Sequence, residues 1–177
     1  MTMAAAPTLQ IHSVLYGNTL DHLRGALRAT ARAAELAQQR GLLGRTRLAW
    51  GDCSPGPIFG ETSVPVGDGE VLERIDYTFF DANLGSAGGH NRLLEAIDSD
   101  LVLILNPDTH LAPNALVELL ERVSADASIG IAEARQIPFE HPRDYDPVTG
   151  DTGWASTACA LVPAPVFGAV GGFDSDT

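Results

Sequence analysis

The feature that most constrains the fold is a continuous apolar run, "LVLIL" (101–105), that leads directly into Asn106, Pro107 and Asp108. An apolar run without alternation is typical of a parallel strand that is covered on both faces. Pro107 has no backbone N–H for a ladder and biases Asn106 toward an extended conformation, so the strand should end there. The run therefore predicts a central strand with a carboxylate just beyond its end.

Segments with strand and helix patterns alternate along the rest of the chain. Strand patterns cover 8–18, 45–52, 74–83, 128–137 and 154–162, and helical patterns cover 19–41, 86–99, 113–125 and the start of 163–177. The stretches 53–70 and 138–153 have the composition of loops. This alternation predicts an α/β fold with a doubly wound, mostly parallel sheet and flanking helices.

The residues at the predicted helix ends suit those positions. Thr19 or Asn18 is suited to cap the first helix and Gly41 to end it, whereas Ser86 should cap the second helix and Pro113 should lie in the first turn of the third. The 177 residues fit one domain, 1–177. Because the chain stops just after a Gly-Gly-Phe-Asp turn, we expect this domain to be incomplete at its C-terminus.

The charge of the chain limits its partners. The formal net charge is −12, and all 11 basic residues are Arg because the sequence contains no Lys. A nucleic-acid surface needs clustered cations, so nucleic acid is not an expected partner. The P-loop, which depends on a Lys, is excluded. A phosphorylated ligand would need backbone amides, a few Arg or a metal ion to balance its charge.

The sequence predicts a cytoplasmic location. No apolar stretch is long enough for a transmembrane segment, and the start "MTMAAAPTLQ" lacks the basic and apolar regions of a signal peptide. Cys53 and Cys159 lie far apart without metal-ligand spacing, which favours buried free thiols in a reducing compartment.

Asp108 is the first candidate site residue. Ligands of an open α/β sheet bind at the carboxyl ends of its strands, and Asp108 follows such an end. A carboxylate there suits Mg²⁺ or Mn²⁺, which takes one or two protein oxygens and completes its shell with substrate phosphates. An Asp that caps the following turn through its own backbone is an equally good interpretation of the spacing.

Three other stretches could carry chemistry. The glycine turn "NLGSAGGHN" (83–91) precedes a helix and could present backbone amides to a phosphate or sugar. Asp52 and Ser54 follow the second strand, where an acidic residue can accept hydrogen bonds from a ribose or a base. Tyr16 follows the first strand and could stack on a nucleobase. Taken alone, the glycine stretch and the Asp52 stretch are better interpreted as ordinary turns, and the Tyr16 ring could merely pack. Among the five histidines, His90 and His110 lie nearest the predicted cleft.

Taken together, these stretches resemble glycosyltransferase family two, especially its rhamnosyltransferase-like members with a GT-A fold. The resemblance covers nearly the whole chain. It is most specific in four motifs that occur in order: "NLGSAGGHN" (83–91), "LVLILNPDT" (101–109), "GDTGWASTACALV" (150–162) and "VGGFD" (170–174).

The resemblance implies a role for each candidate residue. Asp108 would hold a divalent metal, Mg or Mn, at the diphosphate of a nucleotide-sugar, and Asn106 stands where related enzymes have a first carboxylate. The nucleotide-sugar-binding residues would be Tyr16, Asn18, Asp52, Ser54, Asn83, Gly85, Asn91 and Asn106. The wall where donor sugar and acceptor meet would comprise Trp154, Ser156, Thr157, Gly172 and Asp174.

The resemblance also implies the reaction, a single inverting displacement that transfers the sugar from a dTDP- or UDP-linked donor to a glycan or lipid-linked acceptor. Such an enzyme would work in the cytoplasm or peripherally at the inner face of the membrane. The family's catalytic base lies shortly after "GGFD", beyond Thr177, so we expect these 177 residues to be a donor-binding part without turnover. The alternatives are a non-catalytic sugar-nucleotide binding module and a nucleotidyltransferase-like domain.

Overall fold

The computed structural model describes residues 5–60, 71–140 and 142–175. The strands are β1 (Leu9–Leu15), β2 (Thr46–Asp52), β3 (Arg74–Phe79), β4 (Leu101–Leu105), β5 (Ala132–Glu133) and β6 (Cys159–Pro163). The helices are α1 (Leu20–Gln39), α2 (Gly85–Leu94), α3 (Ala115–Ala125) and α4 (Ala164–Val170). The part of the predicted loop 53–70 that covers 61–70 lies outside the described residues.

Within the described ranges, the strands form one sheet in the order β3-β2-β1-β4-β6-β5. The first four strands of the chain are parallel to one another, and β6 runs antiparallel to both β4 and β5. The predicted α/β fold with a mostly parallel sheet is confirmed.

Strand β4 is covered on both faces, as its unbroken apolar run predicts. Leu103 and Leu105 belong to a core that also contains Leu23 of α1 and Leu116 of α3. Ile104 points to the opposite face because side chains alternate along a strand, and it is equally inaccessible, with 0% exposure. Helices α1 and α3 pack on the first face and contact each other.

Helix α2 covers the second face of the sheet. Its Gly89 lies so close to β1 that an added Cβ would come within 2.8 Å of both methyl carbons of Val14. Val14 alternates with Leu15, which belongs to the core under α1 and α3, so α2 packs on the other side. A side chain at position 89 would push the helix away from the sheet.

The predicted helix ends hold in one case and fail in two. Thr19 caps α1 by accepting a hydrogen bond from the His22 N–H at 3.4 Å, and Gly41, with φ of +70°, follows the end of the helix. The prediction for Ser86 is wrong, because α2 already begins at Gly85 and its N-cap is Leu84. Pro113 precedes the helix instead of lying in its first turn, since the N-cap of α3 is Asn114.

Several predicted elements are shorter than their sequence patterns: the strand predicted over 74–83 ends at Phe79, and the helix predicted over 86–99 ends at Leu94. The segment 128–137 contributes only Ala132–Glu133, because β6 is its partner there and just two residues pair. In 154–162 the strand begins at Cys159, and the residues before it form a loop at the sheet edge. Cys53 and Cys159 are buried free thiols, as predicted. No helix in the described parts of the chain is long and apolar enough to cross a bilayer.

Two histidines are buried on the α2 side of the sheet. His12 of β1 is 0% exposed and His90 of α2 is 2% exposed. Burial and then repulsion from His90 lower the pKa of His12 from 6.5 to about 3, and burial lowers the pKa of His90 from 6.5 to about 4. Both imidazoles are therefore neutral in the fold at pH values where the unfolded chain protonates them.

This pair predicts a pH dependence of stability. Because the folded pKa values lie below the unfolded ones, stability is complete above about pH 6.5 and falls as the pH drops toward 4. The free energy of unfolding should fall by roughly 1.4 kcal/mol per pH unit for each histidine. Urea titrations between pH 7 and 4.5 measure this slope. His12→Phe should reduce the slope by the contribution of one histidine, whereas the same slope in His12→Phe as in wild type would contradict the assignment. The exposed His22→Gln should leave the slope unchanged.

Candidate functional site

The candidate residues converge because four parallel strands end at one edge of the sheet. The pairing of Leu15 with Asp52, and of Asp52 with Phe79, aligns the ends of β1, β2 and β3. Strand β4 is parallel to β1, so Asn106 and the residues after it emerge at the same edge. Strand β6 is antiparallel and starts opposite Leu105 at Cys159, which brings the preceding loop to this edge as well.

Asp52 is part of the wall of this edge and does not face solvent. Its side chain is 0% exposed and accepts hydrogen bonds from the Ser54 N–H at 2.9 Å, the Ile58 N–H at 2.8 Å and the Tyr77 hydroxyl at 2.5 Å. Burial alone would raise the pKa of Asp52, but the bonds from Ser54, Tyr77 and Ile58 outweigh it and hold the pKa below its ordinary value. Asp52 is therefore a charged acceptor whose hydrogen bonds hold the loop after β2 in place.

Ser54 extends this network to the turn after β1. Its hydroxyl oxygen accepts a hydrogen bond from the Gly17 N–H at 2.9 Å, and its side chain also bonds to Asp52. In the same turn, the Asn18 side chain accepts a bond from the Tyr16 N–H at 2.9 Å. The Tyr16 ring is 57% exposed. The network thus fixes the backbone under an exposed aromatic ring.

The Asn106–Asp108 turn is fastened to the loop before β6. The Asn106 N–H donates to the Ala158 carbonyl at 2.9 Å, and the Thr109 hydroxyl donates to the same oxygen at 3.5 Å. Asn106 and Asp108 are both exposed. Within the described residues, no hydrogen bond reaches the Asp108 carboxylate, so it does not cap the turn that follows it.

This turn fits an open metal site with few protein ligands. Across residues 5–60, 71–140 and 142–175, no group of three or more His, Cys, Asp and Glu side chains could enclose an ion. One exposed carboxylate, with the amide oxygen of Asn106 nearby in the chain, matches the one or two protein oxygens that Mg²⁺ or Mn²⁺ takes beside substrate phosphates.

The glycine turn has two parts that behave differently. Asn83 and Gly85 are exposed, and the Asn83 side chain accepts a bond from the Gly85 N–H at 3.1 Å. Asn91 lies in α2, where its amide group donates to the Phe173 carbonyl at 2.8 Å and accepts from the Phe173 N–H at 2.8 Å. An added Cβ on Gly172 would come within 2.6 Å of Asn91 Oδ1. Asn91 and Gly172 therefore join α2 to the turn that carries Asp174, which is exposed.

The two histidines nearest the predicted cleft, His90 and His110, pack against other parts of the protein. His90 is buried, and its ring centroid lies 5.5 Å from that of Phe173. The His110 ring packs against α1, where an added Cβ on Gly25 would come within 3.0 Å of its Nε2. Neither contact brings an imidazole to the Asp108 carboxylate.

The loop before β6 forms the other side of the edge. Trp154 is 46% exposed, and Thr157 is half-buried. The Ser156 N–H donates to Glu133 at 2.7 Å, and the Ser156 hydroxyl accepts from the Gln136 side chain at 2.9 Å and from the Ala158 N–H at 3.2 Å. The loop is therefore held by β5 on one side and by the Asn106–Asp108 turn on the other.

Sequence reasoning missed three residues that shape the edge: Tyr77, Glu133 and Arg143. Tyr77 could have been found, because a parallel strand next to β2 places an alternate residue of β3 beside Asp52. The ion pair of Glu133 with Arg143 spans ten residues through an irregular loop. No periodicity in the sequence signals that contact.

No family model matches the sequence, and no curated protein matches it significantly. Among solved structures, the chain is similar to the mannosyltransferase PcManGT from Pyrobaculum calidifontis in complex with GDP-Man and Mn²⁺, with a TM-score of 0.67 and 13% identity over 98% of this chain and 49% of that one. It is also similar to S. aureus TarS 1-349, with a TM-score of 0.61 and 11% identity over 96% of this chain and 51% of that one. The chain has a glycosyltransferase fold of the GT-A type and spans about half the length of these structures.

The Asp52 network predicts the effect of removing the Tyr77 hydroxyl. Tyr77→Phe leaves the buried carboxylate with one donor fewer, and it should lower the free energy of unfolding by about 1.5–3 kcal/mol. Chemical denaturation at pH 7 measures the loss. Tyr145→Phe, at a residue that is 62% exposed, is the matched control and should change stability by less than about 0.5 kcal/mol. Equal effects of the two substitutions would contradict the role assigned to Tyr77.

Proposed function

We propose that this chain is the donor-binding part of a glycosyltransferase that uses a nucleotide-diphospho-sugar. One observation carries the proposal. An exposed carboxylate, Asp108, lies at the edge where β1, β2 and β4 end, between an exposed Tyr16 and the loop that carries Trp154. Clefts at the carboxyl ends of parallel strands are where α/β folds bind ligands.

Each part of the edge is proposed to bind a different part of the donor. Tyr16, in the turn fixed by Ser54 and Asn18, would stack on the nucleobase. The ribose would lie against the loop after β2, whose shape Asp52 sets. The exposed Asn83–Gly85 turn at the start of α2 would face the diphosphate, since a helix N-terminus favours an anion.

Asp108 and Asn106 would hold the divalent metal, Mg or Mn. PcManGT is in complex with GDP-Man and Mn²⁺, which supports a metal-linked sugar nucleotide as ligand for this fold. When bound, the metal supplies positive charge to the departing diphosphate. A chain without Lys needs such a counter-charge, because no ammonium group can take that position.

Transfer itself would be an inverting displacement by an acceptor hydroxyl of a glycan or lipid-linked acceptor, with a dTDP- or UDP-linked donor as in the rhamnosyltransferase-like branch. We propose that this chain binds the donor without turnover. A sugar-nucleotide binding module without any transfer activity is the second candidate. Such a module would use the same donor contacts at the edge and would need no general base.

Calorimetric titration with GDP, UDP and dTDP, each with and without Mn²⁺, tests the proposal. We expect at least one nucleotide to bind with Mn²⁺. Asp108→Asn should weaken this binding by at least tenfold, or about 1.4 kcal/mol, because it removes the metal-binding charge. Glu121→Gln, which removes one exposed charge from α3, should leave the affinity unchanged.

The outcomes separate the candidates. Binding that needs neither Mn²⁺ nor Asp108 would favour a binding module over a metal-dependent transferase. Absence of binding for all three nucleotides would contradict the proposal.

A further inference from the structure

An ion pair shielded from solvent lies behind the loop that precedes β6. The Arg143 side chain is 9% exposed and that of Glu133 is 8% exposed. The guanidinium donates from Nη1 to Glu133 Oε2 and from Nη2 to Glu133 Oε1 at 2.7 Å, and Nη2 also donates to Glu140 at 2.6 Å. Hydrogen bonds from Glu133 and then Glu140 raise the pKa of Arg143 above its ordinary value, so its charge is permanent.

The two partners of this pair each hold a residue of the loop. Glu133 Oε2 accepts the Ser156 N–H at 2.7 Å while it is bound to Arg143. The guanidinium carbon of Arg143 lies 5.1 Å from the ring centroid of Trp154, within the range of a cation–π contact. A single buried contact thus fixes the backbone at position 156 and the indole at position 154.

The held loop is joined to the candidate metal turn. The Ser156 hydroxyl accepts the Ala158 N–H, and the Ala158 carbonyl accepts the Asn106 N–H at 2.9 Å. Trp154 keeps 46% exposure although Arg143 covers part of its ring. An indole that is held by Arg143 and keeps 46% exposure is a surface on which a sugar ring can stack.

We infer that Arg143 is a positioning residue that, through Glu133, holds Trp154 and Ser156 as a wall for the sugar portion of a nucleotide-sugar. The inference rests on the proposed function. Arg143 acts behind the wall and does not touch the ligand. It should therefore affect the sugar-dependent part of binding and not the nucleotide-dependent part.

The geometry also says which substitution can replace Arg143. Lys keeps the charge but has no planar fork to bond both Glu133 oxygens, and it lacks the flat face that lies over the indole. Arg143→Lys should therefore fold, because Glu133 is not left as an unpaired buried charge, yet it should fail to hold Trp154. Arg143→Gln should have a larger effect of the same kind.

Fluorine NMR of the 177-residue protein labelled with 5-fluorotryptophan tests the positioning. Trp50 and Trp154 are its two tryptophans, and Trp154→Phe assigns the resonances. Trp50 is buried in the core at 3% exposure and serves as an internal control for folding. Arg143→Lys and Arg143→Gln should shift and broaden the Trp154 resonance while the Trp50 resonance stays in place.

Arg135 provides the matched control. Its side chain is 82% exposed, and it pairs with the same Glu140 at 3.5 Å, but no contact joins it to the loop in the described residues. Arg135→Gln removes one positive charge from the same segment. It should leave both tryptophan resonances unchanged.

Binding tests the functional half of the inference. For GDP against GDP-mannose, and UDP against UDP-glucose, Arg143→Lys should weaken sugar-nucleotide binding by at least about fivefold and nucleoside diphosphate binding by less than about twofold. An unchanged Trp154 resonance, or an equal loss for the nucleoside diphosphate and its sugar conjugate, would overturn the inference. If the wild type binds none of these ligands, both the proposed function and the role of Trp154 and Ser156 in binding a sugar are contradicted. The resonances still show whether Arg143 holds Trp154.

Discussion

Backbone hydrogen bonds between β4 and β6 connect the parallel sheet to the loop that faces its carboxyl edge. Because β6 is antiparallel, the residues before it arrive where β4 ends, and the Asn106 N–H continues the pairing to Ala158. The position of the loop before β6 relative to the Asn106–Asp108 turn depends on this alignment. The exposed carboxylate of Asp108 and the loop with Trp154 are neighbours because two strands of opposite direction share one register.

Some carboxylates of the edge are inside the protein, and others, including Asp108, are exposed. Asp52 is fully buried and satisfied by four donors, and Glu133 is neutralised by Arg143. Both carboxylates accept hydrogen bonds from backbone N–H groups and hold the loops in place, so they are not available to a ligand. Asp108 is exposed and accepts no hydrogen bond within the described residues, so its carboxylate is accessible to a ligand. In a chain of net charge −12 without Lys, an anionic ligand at this edge needs a metal ion, backbone amides or Arg side chains to balance its charge.

The sequence predicted the fold correctly in the segments whose hydrophobic pattern is compatible with only one type of secondary structure. The unbroken apolar run "LVLIL" predicted β4, because a strand buried on both faces has no polar residues between its apolar ones. The helical spacing of apolar residues predicted α1, because only one face of that helix is buried. The strands in 128–137 and 154–162 are shorter than predicted, since a strand's length depends on its partner. Among the described strands, β5 pairs with β6 alone, over two residues. At the edge, the candidate residues could be chosen by their position after strands. The role of Asn91 in hydrogen bonding could not be predicted, because its partner Phe173 is distant in the sequence.

The most direct test is the position of a bound metal in crystals of the protein grown with Mn²⁺ and the nucleoside diphosphate that it binds best. Anomalous diffraction identifies manganese without assumptions about the surrounding atoms. We expect one anomalous peak within coordination distance of the Asp108 carboxylate and the diphosphate, about 2.0–2.3 Å from each. A nucleotide bound with its manganese away from the edge where β1, β2 and β4 end would contradict a donor site at Asp108.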